Sequence, residues 1–238
     1  KKKKNRFSKT LMTSLYEGQN LYFDYSQLRP EGARLSTMGG RSSGPQPLIK
    51  LHDFIRETMH NAQGRKLTSL ECHDIANQIA EIVVAGGVRR SSQISLSDLN
   101  DEDMRHAKDW PFPIRRAMAN NSAIYREKPT AADFLVEWGV LAKSGSGERG
   151  IFNLESAQNQ APSRRYSSKI QGTNPCGEIM LRDMEFCNLS EVVVREEDDL
   201  DSLLDKVETA TWLGVLQSTF TNFPYLRKQW KKNCDVER

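Results

Sequence analysis

Apolar positions along this chain fall into blocks with helical spacing, and between them lie shorter blocks with strand spacing. Leu48, Leu51, His52 and Ile55 share one helical face. Beyond Gly64, Thr68 and Glu71 have capping-box spacing, in which each side chain satisfies the other residue's backbone N–H. They predict a second helix with Leu70, Ile75, Ile79, Ile82 and Val83 as its apolar stripe and Gly86-Gly87 as its end. Gln93-Ile94-Ser95-Leu96-Ser97 then alternates with period two, as a half-buried strand does, and the acidic stretch from Asp98 to Asp103 opens the next helix or loop. Phe134, Val136, Trp138 and Leu141, with Leu135 and Val140, predict a helix that stops at Ser144-Gly145-Ser146-Gly147, before a short strand over Gly150 to Leu154. Ala161 to Ser168 is a polar loop. Leu200, Leu203, Leu204, Val207, Ala210 and Leu213 define a last long helix, its positive N-terminus matched by the acidic run Glu196 to Asp199. Near the start, Leu21 to Ser26 has strand composition and is broken by Arg29-Pro30-Glu31-Gly32. Strands alternating with helices predict an α/β fold.

Composition changes this picture mainly by exclusion. A chain of 238 residues, 37% hydrophobic and 27% charged, can bury a core as one large or two small domains. Its apolar runs fall far short of the ~18 residues a membrane helix needs, and its mean hydropathy is negative. No membrane span is expected. The net charge of +3 is more than supplied by Lys1 to Lys4, so the remainder gives no electrostatic reason to expect nucleic-acid binding. Residues 1–20 are read as a basic and polar leading segment and 21–238 as the folded domain. Cys72, Cys176, Cys187 and Cys234 are too few and too unevenly spaced for a secreted disulfide framework. No C-x-x-C pair occurs, and no His lies at ligand spacing from a Cys pair, which disfavours a metal site. The expected setting is reducing and cytoplasmic, with Cys72 structural and Cys234 structural or incidental.

Two glycine-rich stretches carry candidate nucleotide contacts. Gly39, Gly40, Gly44, Pro45 and Pro47 surround Arg41, Ser42 and Ser43, a composition that lets backbone approach an anion but also suits a plain connecting loop. Gly86-Gly87 is followed by Val88-Arg89-Arg90-Ser91-Ser92, where two arginines can grip a phosphate or a base edge, or lie solvated on the surface.

The densest chemistry lies in Gly172-Thr173-Asn174-Pro175-Cys176-Gly177-Glu178, followed eleven positions after Cys176 by Cys187. Pro175 and Gly177 exclude regular structure on both sides of the thiol, so Cys176 should project from a tight loop. A hydrolytic thiol needs a His, Lys or Arg at hand to favour the thiolate, and a nearby carboxylate does the opposite. A thiol beside Glu178 suits another task, in which sulfur exchanges a hydrogen atom while the carboxylate takes a proton from an adjacent hydroxyl. Asn174 offers an amide donor and acceptor to orient that substrate.

At these residues the chain resembles an internal portion of the ribonucleotide reductase catalytic subunit. Asn174-Pro175-Cys176-Gly177-Glu178 matches the family's Asn-x-Cys-x-Glu finger-loop motif. The resemblance implies that Cys176 carries the thiyl radical that abstracts the ribose 3′ hydrogen, that Glu178 deprotonates the 3′-hydroxyl and that Asn174 binds the ribose hydroxyls. It makes Cys187 one half of the dithiol that becomes a disulfide as the 2′-hydroxyl leaves. Tyr25-Ser26-x-x-Arg29-Pro30-x-Gly32-Ala33-Arg34, Gly39-Gly40-Arg41-Ser42-Ser43-Gly44-Pro45, Gly86-Gly87-Val88-Arg89-Arg90-Ser91, Asn120-Asn121-Ser122 and Gly150-Ile151-Phe152-Asn153-Leu154 follow in the family's order, so the resemblance covers about Leu21 to Arg238. It assigns substrate or effector contacts to Gly39, Gly40, Ser42, Ser43, Gly86, Gly87, Arg89, Arg90 and Ser91.

The Asn-Pro-Cys-Gly-Glu form, the short interval to Cys187 and Gly-Gly-Val-Arg-Arg-Ser are similar to the adenosylcobalamin-dependent class. A class I large subunit and a non-catalytic nucleotide-binding piece of a split enzyme are the alternatives. What the resemblance implies is a ten-stranded α/β barrel with the finger loop inside, adenosylcobalamin as cofactor, and a ribonucleoside di- or triphosphate substrate with a nucleotide effector. A thioredoxin-like reductant, and a second chain to complete the barrel, are the implied protein partners. In the family the partner thiol of Cys187 lies upstream of the Tyr25 segment, and no Cys precedes Cys72 here. The chain alone is therefore expected to be inactive.

Overall fold

The computed structural model describes residues 4–36, 40–85, 88–89, 91–224 and 226–237. They divide into two compact units, one ending at Asn153 and the other starting at Leu154.

The first unit opens with three helices, α1 (Lys4–Tyr16), α2 (Gln46–Asn61) and α3 (Ser69–Glu81). The predicted face of α2 is buried, and with Leu11 of α1 and Ile75 of α3 it forms the core on which Phe23, Tyr25 and Leu28 pack. Each fully buried Leu or Ile contributes about 1.5–3 kcal/mol, so Leu11 ties the leading polar segment into the fold. Leu21 to Ser26, expected as a strand, is irregular. Phe23 and Tyr25 cover α2 instead of pairing in a sheet, and Asp24 accepts from the Ser26 backbone N–H at 2.8 Å to turn the chain.

The Thr68–Glu71 capping box forms as predicted, with Glu71 N–H to Thr68 Oγ1 at 3.1 Å and Thr68 N–H to Glu71 Oε2 at 2.9 Å. The buried face of α3 is not the predicted apolar stripe. His73, Asp74, Ile75, Asn77 and Ala80 are buried while Ile79 and Val83 are exposed, and the helix ends at Glu81, ahead of Gly86-Gly87. That face stays inside because its polar groups are paired. Arg116 donates to both Asp74 oxygens at 2.8 and 2.9 Å, Arg115 donates to Asp74 at 3.1 Å, and His73 Nε2 bonds Asn121 Oδ1 at 3.1 Å. Cys72, expected to be a structural thiol, is exposed on this helix.

β1 (Val84–Ala85) and β2 (Val88–Arg89) pair antiparallel. β3 (Gln93–Ser97), β4 (Ala119–Tyr125) and β5 (Gly150–Asn153) form a parallel sheet in that order. The crossovers that parallel pairing requires contain α4 (Glu102–Arg105) and α5 (Ala131–Ser144). The α/β reading is therefore met by a parallel sheet of three strands. In β3 only Ser97 is buried and the other four residues are half-buried, so the expected alternation is muted. In α5 the only buried residue is Glu137, while Phe134, Leu135, Val136 and Trp138 are exposed. The helix is held by charge: Glu137 takes bonds from Arg149 at 2.8 and 3.0 Å and from Arg105 at 2.6 Å, and Arg149 also binds Ser97 Oγ at 2.8 Å.

The second unit contains α6 (Leu154–Asn159), an antiparallel pair β6 (Ile170–Thr173) and β7 (Met180–Arg182), and helices α7 (Leu200–Ser218) and α8 (Lys228–Glu237). α6 packs on β6, whose Ile170 is fully buried, and Gln158 Nε2 donates to Ile170 O at 3.0 Å. α7 starts at the predicted acidic cap, Asp199, yet none of its residues is buried. α8 has no counterpart among the expected elements; its buried residues are Asn233 and Glu237. No described helix is long and apolar enough to cross a membrane.

Candidate active site

β6 and β7 present the loop that carries the candidate residues. Thr173 pairs with Met180, and the six residues between them close a tight turn. Asn174 N–H donates to Ile179 O at 3.1 Å and Gly177 N–H donates to Asn174 O at 3.0 Å. Gly177 has φ +90°, a backbone state that costs an L side chain strain. The predicted effect of Pro175 and Gly177 is realised: Cys176 is an exposed free thiol at the tip.

Asn174 braces this loop. It is 3% exposed. Its Oδ1 accepts from Ile179 N–H at 3.0 Å, and its Nδ2 donates to Glu178 Oε1 at 2.6 Å. Thr173 Oγ1 adds a bond to Ile179 O at 3.0 Å. The three motif residues therefore share one loop, with one carboxylate oxygen of Glu178 held by the Asn174 amide.

Cys187 is half-buried and lines a cavity of about 350 Å³ together with Phe186, Phe220, Phe223 and Cys234. Cys234, expected to be structural or incidental, thus shares a cavity with Cys187. The Phe186 ring packs on Phe223 at 4.7 Å and on Trp230 at 4.6 Å. Two residues before Cys187, burial pushes the Glu185 carboxyl up, against the opposing Arg182 N–H bond and Arg165 charge. Sequence reasoning passed over Arg165, Arg182, Glu185, Asn233 and Glu237, which bond to one another or to the 180–185 run. Arg182 and Glu185 adjoin Cys187 in sequence, whereas no sequence signal marks Arg165, Asn233 and Glu237.

The candidate nucleotide contacts lie in the first unit. Ser42 is occupied within its own loop: its N–H donates to Ala33 O at 2.8 Å, its Oγ donates to Arg29 O at 3.2 Å, and its Oγ accepts from Gly44 N–H at 3.1 Å. Gly40 has φ +78° and its carbonyl accepts from Leu35 N–H at 2.9 Å, while Ser43 is half-buried. Ser91 Oγ donates to Ala80 O at 2.5 Å, tying the chain to the end of α3. Gly39, Gly86, Gly87 and Arg90 lie outside the described residues, as does the side chain of Arg89. Among the described residues no group of three or more His, Cys, Asp or Glu is placed to hold a metal ion.

No family model matches the chain. It is similar to curated proteins named adenosylcobalamin-dependent ribonucleoside-triphosphate reductase. The protein of Levilactobacillus brevis is 37% identical over 227 residues, covering 88% of this chain and 29% of the relative. That of Lactobacillus delbrueckii subsp. bulgaricus is 36% identical over 191 residues, covering 77% and 25%. The Lactobacillus leichmannii protein is 35% identical over 191 residues, with the same coverage of 77% and 25%. The chain thus spans 25–29% of the length of these relatives.

Proposed function

Since the chain belongs to the adenosylcobalamin-dependent ribonucleotide reductases, spanning about a quarter of such an enzyme, we propose that it carries the loop on which a ribonucleoside triphosphate is reduced to its deoxyribonucleotide. The observation that carries this reading is the single loop holding Cys176 at its tip, with the buried Asn174 amide gripping Glu178 at 2.6 Å. The relatives' names favour the adenosylcobalamin form over a class I subunit, and a triphosphate over a diphosphate substrate.

What the cofactor requires of this chain is an accessible hydrogen-atom donor, and the exposed Cys176 thiol fits that need. Adenosylcobalamin, when bound, supplies the organic radical that takes a hydrogen atom from a thiol. Cys176 Sγ then removes the ribose 3′ hydrogen. With Oε1 of Glu178 held by Asn174, Oε2 is left to accept the proton of the 3′-hydroxyl, and the fixed carboxylate loses little orientational freedom on the way to the transition state. Cys187 supplies a reducing thiol as the 2′-hydroxyl departs as water, and its partner thiol and a thioredoxin-like reductant belong to the wider enzyme. Arg89 and Arg90 and the Gly39–Pro45 and Gly86–Ser91 stretches contact substrate or effector phosphate and base. The exposed apolar residues of α5 and α7 support further barrel elements packing there, from the same or a second chain, toward the ten-stranded form. The free thiols support a reducing, cytoplasmic setting.

The test is to assay a full-length reductase carrying this chain for deoxynucleotide formation from a ribonucleoside triphosphate, with adenosylcobalamin and a dithiol. Product that depends on added adenosylcobalamin is expected. Turnover that instead needs a separate metal-containing radical subunit would replace the reading with the class I one.

A further inference from the structure

Helix α8 sets Trp230 on Phe186, and its buried contacts are polar. Asn233 and Glu237 are one turn apart on one face and are its buried residues. Each Glu237 oxygen takes a different arginine, Oε1 from Arg182 Nη1 at 2.8 Å and Oε2 from Arg165 Nε at 2.9 Å. Arg165 reaches further, donating Nη1 to Met180 O at 2.7 Å and Nη2 to both Glu185 oxygens at 3.1 and 3.0 Å. Glu185 Oε2 also accepts from Arg182 N–H at 2.9 Å, and Asn233 Nδ2 donates to Asp183 O at 2.6 Å. These bonds converge on residues 180–185, the run that leads from the strand leaving the Cys176 loop to Cys187. One end of the network holds Met180, directly after that loop, and the other holds Glu185, two residues before Cys187. Charge-assisted, forked bonds of this kind fix geometry more tightly than single neutral ones.

We infer that Asn233 and Glu237 are positioning residues for Cys187, which through Arg165 and Arg182 hold the 180–185 run so that the Cys187 thiol keeps a set place relative to the Cys176 loop. The inference rests on the reading of Cys187 as a reducing thiol. Removing the Glu237 carboxylate takes from half-buried Arg182 the acceptor of its guanidinium and from half-buried Arg165 one of its acceptors, and the run they hold should loosen around Cys187 first.

The test compares wild type, Glu237→Ala, Glu237→Gln and Asn233→Ala in the full-length protein. Alkylation by iodoacetamide is followed at each cysteine by peptide mass spectrometry, with exposed Cys72 as internal reference, and kcat and KM are measured for a ribonucleoside triphosphate. Expected is a several-fold faster alkylation of Cys187 in Glu237→Ala with Cys72 unchanged, and a smaller effect in Glu237→Gln, which keeps one acceptor oxygen. A misplacement of about 1 Å costs roughly 100-fold in rate, so kcat should fall steeply while KM holds. Should Glu237→Ala fail to fold, Asn233→Ala, which loses the bond to Asp183 O and the one from Gln229 Nε2 within α8, must show the same selective change on a smaller scale. Equal acceleration of Cys187 and Cys72, or none at Cys187, overturns the inference. Selective exposure with unaltered kcat overturns it too and leaves the reductase reading standing. A wild type without turnover would sink that reading, and the alkylation rates would still decide the positioning.

Discussion

Asn174→Ala removes the brace of the Cys176 loop, and its cost can be worked from the bonds it makes. The substitution deletes the acceptor for Ile179 N–H at 3.0 Å and the donor to Glu178 at 2.6 Å, at a site 3% exposed. Leaving a part-buried amide unsatisfied costs about 1–3 kcal/mol. At about 1.4 kcal/mol per factor of ten, the loop should open roughly 5- to 150-fold more often. Native-state hydrogen exchange reads this at the Ile179 and Gly177 amides, with the amides of the parallel sheet as controls. Asn174→Asp separates the two bonds: its carboxylate still accepts from Ile179 N–H but repels Glu178, so Ile179 should stay protected while reductase activity is lost. Unchanged exchange at Ile179 in Asn174→Ala would refute the claim that this side chain, rather than the backbone pairing of β6 and β7, sets the loop.

Other consequences can be checked separately. A Cβ on Gly150 would stand 2.9 Å from Ser122 Oγ, so Gly150→Ala should cost about 1–3 kcal/mol in urea unfolding, and adding Ser122→Ala should recover most of it; no recovery would mean that the clash lies elsewhere. Burial alone would raise the Asp74 carboxyl, but bonds from His73 and Arg116 and the charges of Arg116 and Arg115 outweigh it and hold it well below the usual carboxylate range. Because its folded value lies below the unfolded ~3.9, the stabilisation is complete above that pH and is lost as pH falls through the folded value. Asp74→Asn should therefore be less stable at neutral pH and lose less below pH ~4, and an acid limb parallel to wild type would count against it. Arg89→Ala and Arg90→Ala should change which base is reduced under each effector more than they change stability; an unaltered substrate ranking in both returns the pair to solvated surface.

Local rules made much of this legible. The Thr68–Glu71 box, the face of α2, the span of β3 and the tip position of Cys176 each depend on neighbours in sequence, and each is found where the spacing puts it. What escaped was set by partners far along the chain. The inner face of α3 is polar because Arg115 and Arg116, some 40 residues on, pair with Asp74. Phe23 and Tyr25 have strand composition but meet α2 instead of another strand. α8 has no apolar stripe to betray it, since its docking combines the single ring of Trp230 on Phe186 with Glu237 meeting Arg165 and Arg182, 72 and 55 residues away. In the candidate site, the motif spacing singled out Asn174, Cys176 and Glu178, which share one loop, whereas the network flanking Cys187 required the fold.

The central claim is that Cys176 is the radical-bearing thiol, and its most direct test is Cys176→Ser in the full-length enzyme. The hydroxyl is close in size to the thiol, so folding and nucleotide binding should survive, but its O–H bond is too strong to yield the hydrogen atom that starts reduction. The account predicts a Kd for ribonucleoside triphosphate close to wild type, with no deoxynucleotide formed in the presence of adenosylcobalamin and dithiol. Deoxynucleotide production by the Cys176→Ser enzyme at a measurable fraction of the wild-type rate would contradict it.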